Sequence, residues 1–336
     1  METRRATLAI AGLIIATVFA TAQQPTGPGP GPLGIGTHTG GLCFSNGVMK
    51  VGLNNFGALG VDGPCGFQYP VGAEHLAIGW WGEGYYIEYD GVGFYFYPSN
   101  GGPDPLPDTP PVLSTYTTTV LGTNFNVAES TYNTKDGVLN VKHTLYIPTG
   151  KKWVIIKATL IALKPINDLY YKRVVDWDVL GFENYWGRDD LRGFPELVVA
   201  YNTADGTTVY AGVASYPMFD VYDLDAWDDR YTVGMGGSHV MASLAPDGSS
   251  TAYGDYNVGL HFYLGRVDPG ESRSLCFIYL AGDTLVELES NLVEAKIYAE
   301  TLCGKPPVGG VVAPPLSIYI LTALLILLSA YYIKRK

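Results

Sequence analysis

From Val138 to Ile147 apolar and polar side chains alternate. Leu139, Val141, Leu145 and Ile147 face one way and Asn140, Lys142, Thr144 and Tyr146 the other, the two-residue period of a half-buried strand. The next run, Trp153 to Leu163 (WVIIKATLIAL), hardly alternates and is rich in β-branched residues, which predicts a central strand covered on both faces. Leu169–Val179, Leu197–Tyr201, Thr208–Ala214, Val258–Leu264 and Ser274–Leu280 also read as strands. Asp-Gly pairs punctuate the pattern at Asp90-Gly91, Asp136-Gly137 and Asp205-Gly206, each between strand-like runs. Both central positions of a tight hairpin turn favour φ > 0, so these pairs predict three hairpins.

One segment has the helical period instead. Thr284-Leu285-Val286-Glu287 is a capping box, Leu285, Leu288, Leu292 and Ala295 fall near one face, and Gly304 is a stop. The fold class expected is all-β: a large antiparallel β-sandwich, with a supersandwich as one form of it, carrying one C-terminal amphipathic helix.

The two ends have a different pattern. Residues 1–22 join Arg4 and Arg5 to a short apolar stretch and a small-residue Ala20-Thr21-Ala22 site, the layout of a secretory signal peptide. A permanent anchor and a pilin-type leader stay open as alternatives. Leu316 to Ile333 is an uncharged 18-residue stretch followed by Lys334-Arg335-Lys336, which predicts a single transmembrane helix with a cytoplasmic basic tail. The organisation expected is a signal peptide (1–22), a Pro/Gly linker (23–36), an extracellular β-sandwich domain (37–304), a Pro/Gly stalk (305–315), a transmembrane helix (316–333) and a tail (334–336). Residues 99–111 (SNGGPDPLPDTPP) add a Pro/Gly loop within the domain.

Of the 336 residues 47% are hydrophobic and 16% charged, enough to bury a sizeable core, and the net charge is −11. Removing residues 1–22 and 334–336 takes away five basic residues and one acid, so the remainder carries −15. That charge argues against a nucleic-acid partner, which needs a basic face. The four cysteines, Cys43, Cys65, Cys276 and Cys303, include no CxxC pair, so zinc is not indicated and an oxidising exterior favours two disulfides. Three connectivities exist; Cys43–Cys65 with Cys276–Cys303 is preferred because each closes a local loop.

Candidate chemistry is sparse. In Asp176-Trp177-Asp178, strand alternation puts both carboxylates on one face, about 7 Å apart along the backbone. Paired acids suit glycosidic chemistry or Ca²⁺. They equally suit hydrogen bonding to loop backbone, or pairing with nearby Arg173. Asp220 to Asp229 (DVYDLDAWDD) has the acid density of a calcium loop, with Asp220, Asp223 and Asp225 as ligands, but lacks the glycine and final glutamate of an EF-hand. Its plainer reading is a solvated acidic loop. Trp80 and Trp81 are candidates to stack on sugar rings, although adjacent strand residues point oppositely and at most one of them belongs to a core. His143 falls on the apolar face of its strand and reads as a hydrogen-bonded core histidine.

Two stretches carry a resemblance. VGLNNFGALGVDGPCGFQYPVGAEHLAIGWWGEGYYI and LYYKRVVDWDVLGFENYW resemble parts of a little-characterised group of secreted prokaryotic β-domains. More loosely, the strand order is similar to the β-supersandwich that precedes the catalytic barrel of prokaryotic glucoamylase-like enzymes. The resemblance implies a surface-exposed sandwich; it does not imply glucoamylase activity, since the catalytic residues of those enzymes lie in a helical barrel that this sequence has no region for. The stalk, single span and basic tail look like those of archaeal cell-surface proteins.

The function expected is that of a membrane-anchored surface protein in contact with envelope glycans or neighbouring surface proteins, with no required cofactor beyond a candidate Ca²⁺. A carbohydrate-active enzyme or sugar-binding module is the alternative, and a surface filament subunit built by strand exchange a further one.

Overall fold

A computed structural model describes residues 40–61, 65–76, 83–97, 102–104, 110–181, 183–189, 192–226, 252–254 and 256–304. Within them are eighteen strands and one helix. A first, three-stranded sheet holds β1 (Gly41–Ser45), β2 (Lys50–Asn54) and β3 (Phe67–Gln68). Then come β4 (Glu83–Tyr89), β5 (Val92–Tyr97), β6 (Gly102–Asp104), β7 (Val112–Val120), β8 (Thr123–Asn133), β9 (Leu139–Pro148) and β10 (Trp153–Ala162). These are followed by β11 (Ile166–Asp176), β12 (Asn184–Asp189), β13 (Phe194–Ala204), β14 (Thr207–Tyr216) and β15 (Val221–Ala226). The last are β16 (Ala252–Gly254), β17 (Tyr256–Val267), β18 (Ser272–Gly282) and the helix α1 (Leu285–Cys303).

Two large antiparallel sheets build the sandwich. One has nine strands in the order β16-β12-β13-β14-β18-β10-β9-β8-β7, the other six in the order β15-β17-β11-β4-β5-β6. A continuous core joins them, with Val154, Ile156 and Phe277 from the nine-stranded sheet and Tyr171, Leu260 and Phe96 from the six-stranded one. A second core lies on the other face of the nine-stranded sheet, where Trp153, Ile155 and Ile278 pack under Leu288 and Leu292 of α1. The apolar start of β10 follows from this: Trp153 and Ile155 enter one core and Val154 and Ile156 the other. Further along, Lys157, Thr159 and Ile161 lie on a half-exposed face, so the expected cover on both faces holds only for the first half of the strand.

The helix forms where its capping box stands. The Thr284 hydroxyl accepts the Glu287 amide (3.1 Å), and Gly304, at φ 73°, closes the other end. Lys157 Nζ donates to the Leu302 carbonyl at 2.6 Å, placing a cation from the sheet at the negative end of the helix dipole. Disulfides join Cys43 to Cys65 and Cys276 to Cys303, the pairing expected from loop locality; the second ties β18 to the end of α1.

Asp90-Gly91 and Asp205-Gly206 form two-residue turns with both residues at positive φ. Asp136-Gly137 also lies within a hairpin, but the connection is longer, spanning 134–138. There a backbone turn, closed by the Gly137 amide donating to the Thr134 carbonyl at 2.9 Å, is braced by side chains: the Thr134 hydroxyl accepts the Leu139 amide and Asp136 Oδ1 accepts the Val138 amide, both at 3.1 Å. Residues 221–226 correct the expected acidic loop: they form β15, whose Tyr222 and Leu224 enter the core. The predicted strand from Leu169 is also shortened, since β11 ends at Asp176. Among the described residues no helix is long and apolar enough to cross a membrane, and 316–333 lie outside them, as do 1–39, the stalk and most of the Pro/Gly loop.

Candidate functional site

From Leu169 onward, past a shift in register, alternation along β11 sends odd residues inward and even residues to the outer face of the six-stranded sheet. Arg173 turns inward and ion-pairs with Glu83 of β4, both side chains without solvent exposure. Its Nε donates to the Tyr279 hydroxyl at 3.0 Å, Nη1 to the Tyr171 hydroxyl at 3.1 Å and Nη2 to the Gly57 carbonyl at 3.2 Å. Glu83 also accepts from the Leu59 amide (2.6 Å) and from Tyr279. Tyr85 donates to the Phe56 carbonyl at 2.7 Å, and His143 Nε2 lies 3.0 Å from the Tyr171 hydroxyl.

The whole cluster straps the segment after β2 into the sandwich. Burial pushes the Glu83 carboxyl up, with Arg173 and Tyr279 pulling against it. Burial opposes the charge on Arg173, but Glu83, Tyr279 and Tyr171 hold it firmly protonated. Burial and then the Arg173 charge push His143 well below the usual imidazole range, so it is a neutral core histidine, as its place on the apolar face of β9 implied. Buried and paired within itself, with His143 Nδ1 as the side-chain nitrogen left without a hydrogen bond, this cluster is a structural lock.

The outer face is arranged differently. Backbone register lays three rows across it. Tyr86, Lys172, His261 and Val221 form the first. Gly84, Val174, Gly259 and Asp223 form the second, and Asp176, Asn257 and Asp225 the third. Lys172 (1% exposed), Asp176 (4%), Asn257 (0%) and His261 (4%) are all shielded from bulk water although they point away from the apolar core. The middle row is a low floor, Val174 between two glycines, with polar rows on either side. Two-residue steps along the strand put neighbouring rows about 7 Å apart. The strip sets donor and acceptor groups of both charge signs beside an apolar row, its described side chains all covered within the folded chain.

The two acidic motifs thus meet in part. Asp176 and Asp225 share the third row, joined through Asn257. The Asp223 and Asp225 side chains lie outside what the structure describes. Asp220 is exposed, and its carboxylate accepts the Tyr263 amide at 2.6 Å. Asp178 does not continue the alternation of Asp176. Trp177 bridges to Leu76 and packs on Phe67 at 5.1 Å, and the Asp178 amide donates to the His75 carbonyl. Beyond it the chain turns, with Leu180 and Gly181 at positive φ. Arg173, expected as a partner of these acids, is committed to Glu83. Among the described residues no three His, Cys, Asp or Glu side chains come together as a metal site. Trp80 and Trp81 lie outside the described residues.

Sequence reasoning missed Lys172, Asn257 and His261. None belongs to a motif, and only the pairing of β11 with β17 places them beside Asp176. It also missed Glu83, which sits inside an aromatic run where the tryptophans drew attention.

No family model and no curated protein matches this chain. Solved structures with a similar path include a bacterial glucoamylase complexed with acarbose, at 14% identity and TM-score 0.46, covering 77% of this chain and 34% of that one. A candidate kojibiose phosphorylase from the human microbiome is similar at 8% identity and TM-score 0.42, over 79% of this chain and 34% of that one. A galactose mutarotase related enzyme from Lactobacillus acidophilus is similar at 7% identity and TM-score 0.34, over 72% and 97%. The chain spans about a third of the length of the first two. These neighbours include the glucoamylase type that the sequence resembles, and at such scores they carry no argument about what this chain does.

Proposed function

We propose that this chain is a cell-surface domain whose six-stranded sheet contacts glycans through its outer face. Residues 1–22 are proposed as its signal peptide and 316–333 as its membrane anchor, with the domain outside the cell. The observation that carries the reading is the polar composition of this face, where Lys172, His261, Asp176 and Asn257 lie in rows about Gly84, Val174 and Gly259. Polyhydroxylated ligands are recognised by hydrogen-bonding side chains, and this face is rich in them. The two disulfides support an extracellular address.

A glycan array probed with the full-length chain in detergent tests it. Binding to at least one glycan is expected, with His261→Ala or Asp176→Asn weakening it about tenfold, the loss of one good hydrogen bond to a charged group. Silence across the array at high protein concentration, or equal binding by both variants, sinks the proposal. A second reading is favoured by one feature: Asp176 is a nearly buried carboxylate on a polar face, the setting that tunes a catalytic acid. Release of reducing sugar from a bound glycan, abolished in Asp176→Asn, would turn the binding domain into a carbohydrate-active enzyme.

A further inference from the structure

The edge of a sheet presents unpaired N–H and C=O groups, and proteins blunt such edges with brevity, charge or proline. Among the described residues the edge strands differ sharply in this respect. β6 and β16 have three residues each, and β6 contains Pro103; β3 has two. β15 lies within an acidic run, and β1 carries Cys43 in its disulfide. β7 has none of these protections. It is nine residues long, pairs with β8 without a bulge from Val112↔Thr131 to Val120↔Thr123, and its sequence VLSTYTTTV has no charge and no proline. Val112 is 67% exposed and Tyr116 46%.

We propose that a second copy of this chain adds to β7, antiparallel across a twofold axis at Tyr116, joining two nine-stranded sheets into one. The sequence around Tyr116 is nearly self-complementary. With Tyr116 opposite its own copy, Thr115 faces Thr117, Ser114 faces Thr118, Leu113 faces Thr119 and Val112 faces Val120. An isologous interface needs such self-matching, and β-branched and Thr–Thr or Thr–Ser pairs are favourable across strands. Charge points the same way. In a chain of net charge −11 two copies repel one another, and a neutral edge is the place where they approach at least cost. Nine paired residues bury less than the roughly 1,200 Å² of a free-standing dimer, so the contact relies on copies held in one membrane at high effective concentration. The dimer rests on the membrane anchor proposed above but not on the glycan strip, since β7 belongs to the nine-stranded sheet and the strip to the six-stranded one.

The test uses the full-length chain in phospholipid vesicles. All four native cysteines are in disulfides, so an introduced cysteine is the sole thiol. Under mild oxidation Tyr116→Cys should give a covalent dimer. Val112→Cys and Val120→Cys should each stay monomeric, being about 27 Å from their own copies, yet cross-link when mixed. Adding Thr117→Lys to Tyr116→Cys should lower the dimer yield several-fold at an unchanged melting temperature. No more dimer from Tyr116→Cys than from Val112→Cys alone, the result if another segment of the chain covers β7, overturns the proposal. Equal yields at all three positions also overturn it, since they report random collision.

Discussion

Lys172 and Arg173 are neighbours on one strand, both cationic and both almost wholly removed from water, and they serve opposite ends. Arg173 faces a carboxylate at contact and spends its remaining donors on two tyrosines and a carbonyl. Lys172 shares its row with His261 and Tyr86 on the opposite face, with Asp223 in the next row and Asp176 and Asp225 in the one beyond. The inner cluster is closed: charges neutralise one another in place, and removing one strands the other. The outer strip instead sets residues of both charge signs in successive rows along the strand. Burial of charge alone therefore does not mark a functional site.

The comparison is broken most directly at Arg173. Arg173→Met leaves Glu83 buried without its cation and should cost about 3–5 kcal/mol in denaturant unfolding. A loss under about 1 kcal/mol would mean that the lock is no lock. Gly57 comes next. It sits at φ 89°, and an added Cβ would run into the His143 ring, so Gly57→Ala should cost about 2 kcal/mol while leaving the outer strip in place. A melt of that variant equal to wild type would show the strap to be loose.

Acid sharpens the contrast. Burial holds His143 well below the ordinary imidazole value, and burial also lowers His75. Both are neutral in the folded and unfolded chain above about pH 6.5. As pH falls below that value the unfolded chain takes up protons that the folded one refuses, so stability should drop by up to about 1.4 kcal/mol per pH unit for each histidine. Unfolding curves between pH 7 and pH 5 measure the slope, and His143→Phe should flatten it; an unchanged slope would place the cause elsewhere.

On the outer strip the expected effects on folding are smaller. Asp176→Asn keeps the shape and should stay within about 1 kcal/mol of wild type while glycan binding falls. A collapse of stability instead would move Asp176 into the structural class with Glu83. Smallest of all, Ca²⁺ against chelator should shift the melting temperature by less than about 2 °C. A large rise would mean that Asp176 and the β15 acids form a cation site.

How much was legible varies by element. The strands β9, β10, β13, β14, β17 and β18 and the helix α1 were readable because each carries its own period or cap. The Leu121-Gly122 turn between β7 and β8 was not, since Leu121 at φ 47° gives no turn signal; the pairing of its flanking strands imposes it. β15 was misread because acid content outweighed the alternation of Tyr222 and Leu224. Of the outer strip only Asp176, Asp223 and Asp225 were singled out, and Lys172, Asn257 and His261 were invisible.

By itself the sequence determined what depends on neighbours along the chain: strand period, hairpin turns, the helix and its cap, and a disulfide pairing that closes short loops. Tertiary structure alone decided which sheet each strand joined, and with that which face of β11 meets Glu83 and which meets His261. The physical reason is that side-chain period fixes two faces for a strand without saying what lies opposite either one. Partners 90 residues apart, such as Arg173 with Glu83, are chosen only when the sheets pack.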